Sequence, residues 1–193
     1  HSILLFPEYS VVALNGIWVW GVDLKLATLS SYIPTTTAVV TRAGDIATAT
    51  PLIPKTIYIS ARTANDSNLS VLIQFDDGTE NSRIRIERNT SNEIRLFVTD
   101  GGVEQIAGGL LAGTVANNTD FKIAARVAVN DFAISLDGAA LATAVLGTIP
   151  TTTIKREGAD TTGNFWNSTI AHYSDWLERF DNEQLRNLAG TGW

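Results

Sequence analysis

The chain has 193 residues and a net charge of -6, and it contains neither cysteine nor methionine. This length is enough for one large β-domain with its own core. The acidic balance argues against a nucleic-acid-binding surface, which needs a basic stripe, and the lack of cysteine excludes disulfides and thiolate metal sites. No apolar run reaches the ~20 residues of a membrane span, so we expect no insertion into a membrane. Without methionine, His1-Ser2 is interpreted as a tag remnant on a fragment.

The beginning of the chain predicts two apolar strands, ILLFPEYSVVAL and GIWVWGVDLKL, which are separated by Asn15-Gly16. Asn-Gly is the strongest short-range hairpin signal. Trp18 and Trp20 alternate along the second strand and therefore share a face, which favours burial in a core or against another subunit. A proline and a threonine run follow and indicate a connector. We predict that residues 1–40 form an N-terminal β-hairpin segment with its connector.

The remaining residues, 41–193, predict a series of short alternating strands with turn signals every ~8–12 residues. Examples are KTIYISART, NLSVLIQFDDGTENSRIRIER, EIRLFVTDGGV and FKIAARVAVNDFAISLDG. Their turns contain Asp-Gly, Gly-Gly and Asn-Asp pairs, which favour reversal of the chain. This pattern is typical of an all-β, antiparallel two-sheet jelly-roll sandwich.

One helix is predicted near the end of the chain, in FDNEQLRNLAG. Asp181 and Gln184 have the spacing of a capping box, and Phe180 and Leu185 occupy the positions of a hydrophobic staple. Gly190 is predicted to end the helix, because glycine favours the left-handed conformation there.

The hairpin SRIRIERNTSNEIRLFVTD places several arginines on one face of an acidic protein. If NTSN is the turn, Arg85 opposes Arg95 and Glu87 opposes Glu93, while the diagonal neighbours carry opposite charges. We therefore interpret this face as a solvated lattice of alternating charges. A binding site for an anionic ligand is the alternative.

The sequence carries few signals of catalysis. His172 has no partners that would form a triad, and there is no G-x-S-x-G elbow. The E-x-D-x-x-E pattern that supplies paired acids in sandwich glucanases is also missing from the sequence. Asp76 and Asp77 lie beside a glycine and read as a turn. Carboxylates in turns can bind calcium, so a calcium ion is a possible ligand, and we expect no other cofactor.

Aromatic and polar residues cluster in the loop ADTTGNFWN. A sugar ring offers apolar C–H faces and hydroxyl rims, so an aromatic platform beside planar polar side chains is suited to it. We therefore take Trp166 as a stacking platform, with Asn164 and Asp160 as hydrogen-bonding partners. Tyr173 and Trp176 follow closely enough to line the same edge. The alternative is that Trp166 anchors the loop to the core.

The run WVWGVDLKLATLSSYIPTTTAVVTRAGDIAT resembles a junction common in bacteriophage tail-fibre and related virion proteins, in which SYIPT is followed by TRA-x-D. The strands that follow, with VNDFAISLDG and the N-E-Q-L helix, are similar to the laminin-G-like, concanavalin-A-like jelly roll of those proteins. The resemblance covers residues 18–190, and Lys25 departs from it where an acidic residue is usual. It implies a homotrimeric fibre, a virion location and a carbohydrate ligand, and it defines no binding residues.

Three functions remain open from the sequence. The leading hypothesis is a non-catalytic carbohydrate-binding module that recognises a host-surface glycan for a phage tail fibre. The first alternative is a structural trimerisation module without a ligand. The second is a glycan hydrolase, and the absence of a pair of catalytic acids argues against it.

Overall fold

The computed structural model describes residues 46–47, 53 and 55–192. The predicted N-terminal hairpin, with Asn15-Gly16, Trp18 and Trp20, lies outside the described residues. So does the expected boundary between residues 1–40 and 41–193.

The described residues form twelve β-strands and one α-helix. In chain order these are β1 (Ile46–Ala47), β2 (Thr56–Arg62), β3 (Ser70–Asp76), β4 (Arg83–Arg88), β5 (Glu93–Asp100), β6 (Val103–Glu104), β7 (Leu110–Thr114), β8 (Asp120–Ala128), β9 (Asp131–Leu136), β10 (Ala142–Ala144), β11 (Ile154–Glu157), β12 (Ile170–Trp176) and α1 (Asn182–Thr191).

The strands form two antiparallel sheets. One has seven strands within the described residues, in the order β1-β11-β3-β4-β5-β6, with β7 also pairing with β5. The other has five, in the order β10-β9-β8-β2-β12. The predicted two-sheet antiparallel sandwich with a short C-terminal helix is confirmed.

The core lies between the two sheets, because alternate residues of each strand point to the same side. Ile57 and Ile59 of β2 and Ile84 and Ile86 of β4 are almost completely buried there. Aliphatic and aromatic side chains from both sheets complete a single cluster. Burial of apolar surface, at ~25 cal/mol per Å², is what holds the two sheets together.

Strand β3 is buried on both of its faces. Leu72 and Phe75 point into the core, whereas Gln74 and Asp76 point away from it and are nevertheless 0% exposed. A strand at the surface of a sandwich normally solvates its outer face. Something else in the chain must therefore cover the outer side of the seven-stranded sheet at this point.

The register of the β4–β5 hairpin differs from the predicted one. Glu87 opposes Arg95 and Arg85 opposes Phe97, whereas the sequence predicts Arg85 opposite Arg95. The turn is centred one residue later than expected, because Asn92 adopts a left-handed conformation with φ of 64°. Such a residue closes a three-residue hairpin loop, and moving the centre by one residue shifts each pair by two.

Helix α1 begins as predicted. The Asp181 carboxylate accepts a hydrogen bond from the Gln184 backbone N–H, and the Gln184 side chain accepts one from the Asp181 N–H, which completes the capping box. Leu185 and Leu188 then pack on Tyr58 at the outer face of the five-stranded sheet. Within the described part of the chain, no helix is long and apolar enough to cross a membrane.

The predicted end of the helix at Gly190 is wrong. The helix continues to Thr191, and Gly192 provides the left-handed residue, with φ of 81°. Gly190 instead lies against Gly138 of the β9–β10 turn, and a Cβ atom on Gly138 would come within 2.9 Å of the Gly190 Cα. Close packing between the helix and this turn therefore explains the glycine at position 138, whose φ is also positive.

The capping box yields the first prediction. Asp181→Ala removes the acceptor for the first turn and should lower the free energy of unfolding by about 1 kcal/mol. Asp181→Asn keeps a capping oxygen and should stay close to wild type. Urea denaturation of the two variants makes the comparison, and equal losses in both would contradict the capping role.

Candidate functional site

The outer side of the seven-stranded sheet is unusually polar. Alternate residues of β3, β4, β5 and β11 point away from the core, and the pairing register places them in rows across the strands. We call this surface the polar face. It consists of Gln74, Asp76, Arg83, Arg85, Glu87, Glu93, Arg95, Phe97, Thr99 and Arg156.

Glu80, from the loop between β3 and β4, joins several groups of this face. Its carboxylate accepts hydrogen bonds from the Gln74 amide at 3.1 Å and from Arg83 Nη1. Arg85 Nη1 lies 3.5 Å from the same carboxylate. The Thr161 hydroxyl also donates to it. One side chain thus links two strands to the loop that follows β11.

Arg85 lies at the centre of the polar face and is paired with three carboxylates. Its guanidinium lies 2.7 Å from Glu87, 3.4 Å from Asp160 and 3.5 Å from Glu80. It also lies 5.6 Å from the centroid of the Phe97 ring, in cation–π geometry. Burial raises the pKa of the Glu87 carboxyl above its usual value, and the positive charge of Arg85 opposes that shift.

The other arginines of the polar face are paired as well. Arg156 binds both carboxylate oxygens of Asp76, at 2.8 and 3.3 Å. Arg95 lies 3.1 Å from Glu93. The predicted compensation of charge is therefore present, but the prediction of a solvated lattice is wrong. Ion pairs from the neighbouring loops cover this face, and that explains why β3 is buried on both sides.

The loop 159–167, which we call the aromatic loop, is held by Asp160. The Asp160 carboxylate accepts hydrogen bonds from the backbone N–H groups of Thr162 (2.8 Å) and Asn164 (3.0 Å) and from the Asn164 amide (2.7 Å). Burial raises the pKa of Asp160, but these bonds, together with that from the Thr162 hydroxyl, outweigh it and hold the pKa below its usual value.

Asp160 and Asn164 therefore bond each other rather than standing free for a ligand. The Asn164 amide also donates to the Thr162 hydroxyl, at 2.8 Å. The structure does bring both residues to the border of the polar face, since Asp160 reaches Arg85. Asp160 and Asn164 thus lie next to the polar face, but the Asp160 carboxylate is occupied by hydrogen bonds that hold the loop in its conformation.

Trp166 points away from the polar face and into the core. It is 7% exposed, and its indole meets the Phe121 ring edge-on with the ring centroids 5.9 Å apart. The indole N–H donates to the Thr169 carbonyl at 3.4 Å. A buried indole has no face open to a sugar ring. This geometry corrects the stacking hypothesis and supports the alternative, in which Trp166 anchors the loop.

Tyr173 and Trp176 lie on β12, in the other sheet, and on opposite sides of it. Tyr173 packs against the core, with Lys155 Nζ 3.8 Å from its ring centroid. Burial raises the pKa of the Tyr173 hydroxyl well above its usual value. Trp176 packs against Phe180, with the ring centroids 5.2 Å apart. Neither residue lines the polar face, because β12 and β4 belong to different sheets.

Phe97 is the aromatic side chain that the structure places on the polar face. It is half-buried between Arg85 and the loop 104–109, where a Cβ atom on Gly109 would come within 2.9 Å of the Phe97 ring. Arg95 donates to the Gly108 carbonyl of that loop. Sequence reasoning missed Phe97, although its alternation with Leu96 and Val98 already assigned it to the outer face.

Among the described residues, no group of three or more His, Asp or Glu side chains has an arrangement that could hold a metal ion. The expected possibility of calcium thus gains no support from this part of the chain. Asp77 accepts hydrogen bonds from the Thr79 hydroxyl and backbone, and these hold its pKa below the usual value. His172 is exposed on β12, where its Nε2 lies 2.8 Å from the Ser174 hydroxyl.

Neither a protein-family model nor a protein of curated function matches this sequence. The fold is similar to that of a Ruminococcus gnavus IT-sialidase CBM40 solved bound to α2,6-sialyllactose, with a TM-score of 0.56 and 12% identity over 70% of this chain and 82% of that one. It is also similar to part of the leech intramolecular trans-sialidase, with a TM-score of 0.54 and 14% identity over 70% of this chain and 23% of that one. A heptameric SAP-like pentraxin from Limulus polyphemus matches with a TM-score of 0.50 and 11% identity over 70% of both chains. At these identities the likeness shows the fold, and it confirms the predicted two-sheet jelly roll.

The position of Trp166 yields the second prediction. Trp166→Ala should lower the free energy of unfolding by about 3–5 kcal/mol, because it leaves a cavity beside Phe121. Phe165→Ala is the matched control: it alters the next residue, which is 37% exposed, and should cost less than about 1 kcal/mol. Denaturant unfolding compares the two. A stable Trp166→Ala protein would contradict the anchoring role.

Proposed function

We propose that this protein is a non-catalytic carbohydrate-binding module that recognises a host-surface glycan, and that the polar face is its binding site. The observation that carries the proposal is the half-buried Phe97 ring among ion-paired, planar polar side chains on the outer face of a sandwich sheet. An aromatic face suits the C–H side of a sugar, and fixed carboxylates and guanidinium groups suit its hydroxyls. The ion pairs hold these groups in place before a ligand arrives, which lowers the entropy cost of binding.

Two further observations support this location. Among the described residues, the buried atoms Gln74 Oε1 and Thr99 Oγ1 of the polar face have no hydrogen-bond partner. Such groups are rare in protein interiors, and each of them calls for a partner such as an ordered water or a ligand. In addition, the outer face of the five-stranded sheet is covered by α1 through Leu185 and Leu188. Within the described residues, no helix covers the polar face.

The likeness to the Ruminococcus gnavus module gives independent support, since that domain was solved bound to sialyllactose. The likeness is one of fold, and functions differ widely among proteins that share a fold. The residues of the polar face carry the proposal, and the comparison makes a glycan the ligand class to test.

Loss of the aromatic platform yields the third prediction. Phe97→Ala should weaken binding to host cells or host polysaccharide by about tenfold, because one well-packed aromatic contact contributes on the order of 1–2 kcal/mol. Phe165→Ala removes the same kind of ring from a residue that is not part of the polar face and should leave binding unchanged. Binding by both variants at the level of wild type would contradict the assignment of the site.

The hydrolase alternative requires a carboxylic acid that holds its proton near neutral pH and reaches the ligand. Asp76, Glu80 and Asp160 are each paired with an arginine. Glu87, whose pKa is raised by burial, is buried and lies 2.7 Å from Arg85. We therefore expect no reducing ends to be released when the protein is incubated with the polysaccharide that it binds. Release that Asp76→Ala abolishes would contradict the non-catalytic proposal.

We also propose that the module belongs to a phage tail fibre, is exposed on the virion and assembles as a homotrimer through residues 3–29. The resemblance over residues 18–190 supports the context, and the apolar strands with Trp18 and Trp20 support the assembly, because a lone hairpin is marginally stable in water. The alternative of a purely structural trimerisation module shares this assembly and differs in having no ligand.

The assembly yields the fourth prediction. Light scattering on the full chain should give three times the chain mass of 20.8 kDa. Replacement of both Trp18 and Trp20 by serine should shift the mass towards one chain, whereas Phe165→Ala should not. A monomeric wild-type chain would contradict the trimer.

A further inference from the structure

The polar face has no excess of positive charge, in spite of its arginines. Four guanidinium groups, those of Arg83, Arg85, Arg95 and Arg156, are paired with nearby carboxylates. These carboxylates are Asp76, Glu80, Glu87, Glu93 and Asp160. With all groups ionised the cluster has one net negative charge, and with Glu87 protonated it is neutral. In neither state does it present a free cation to a ligand.

The side chains of the cluster that are exposed to solvent also carry no excess of positive charge. The Arg85 and Arg156 side chains are 10% and 11% exposed, whereas the Glu80 side chain is 31% exposed. Glu93 and Arg95, at the other side of Phe97, are exposed to the same degree. A ligand that approaches Phe97 therefore meets a carboxylate at least as readily as a guanidinium group.

We infer that the polar face binds a neutral, hydroxyl-rich glycan and discriminates against acidic sugars. This inference rests on the proposed function and narrows its ligand class. Hydroxyl groups donate hydrogen bonds to carboxylates and accept them from paired guanidinium groups, so a neutral sugar can bind without disturbing the ion pairs. A sugar carboxylate is repelled by Glu80, and it would have to displace that side chain to reach Arg83 or Arg85.

A glycan array tests the inference with the full chain, using neutral oligosaccharides and the same oligosaccharides extended with sialic or uronic acid. We expect the neutral forms to bind at least about tenfold more tightly, with little change between 50 and 500 mM salt, because the interaction involves no net charge. Phe97→Ala should weaken this binding by about tenfold. Preference for the acidic forms, lost in Phe97→Ala, would overturn the charge inference and keep the proposed site. Binding that is indifferent to Phe97→Ala, or no binding at all, would overturn both.

A charge variant provides the second arm. Glu80→Gln keeps the shape of the side chain and leaves Arg83 without its carboxylate, so binding of the acidic oligosaccharides should rise by about tenfold. Glu178→Gln makes the same charge change at an exposed position outside the polar face and should not alter the preference. If Glu80→Gln fails to fold, as judged from its melting temperature, Glu93→Gln frees Arg95 in the same way. Folded variants with the wild-type preference would overturn the inference.

Discussion

The pairing of Arg85 with three carboxylates is the interaction on which the outer side of the seven-stranded sheet depends. Glu87 comes from the same strand, Glu80 from the β3–β4 loop and Asp160 from the aromatic loop. One guanidinium group thus connects a strand to two loops. A buried charge that loses its partner typically destabilises a protein by ~3–5 kcal/mol, so these segments are coupled. The interaction also keeps Phe97 beside a rigid, charged border.

The aromatic loop owes its position to two adjacent anchors of different chemistry. Asp160 is fixed on the polar side by backbone N–H groups and by Arg85, and Trp166 is fixed on the apolar side by Phe121. Because one anchor points to each side of the sheet edge, the loop is held across that edge. Trp166 therefore stabilises the loop, and Asp160 lies at the border of the proposed site.

In the described part of the chain, the outer faces of the two sheets differ in polarity and in what covers them. The outer face of the five-stranded sheet is apolar at Tyr58 and is closed by α1, which makes it an extension of the core. The outer face of the seven-stranded sheet is polar and is bordered by loops rather than by a helix. A sandwich can bind a ligand on the face that it does not need for packing, and we propose the polar face for this role. Balanced charge on this face favours recognition by shape and hydrogen bonding over attraction of an anion.

The sequence alone determined the strands, the sandwich and the start of α1, because alternation, turn residues and a capping box act over a few neighbouring positions. It did not determine the hairpin register, which depended on the left-handed conformation of Asn92. Nor did it determine which side of its loop Trp166 occupies or that Phe97 lies beside Arg85. These features depend on contacts between residues that are distant in the chain, such as Asp160 and Arg85. Only the packing of the two sheets brings such residues together.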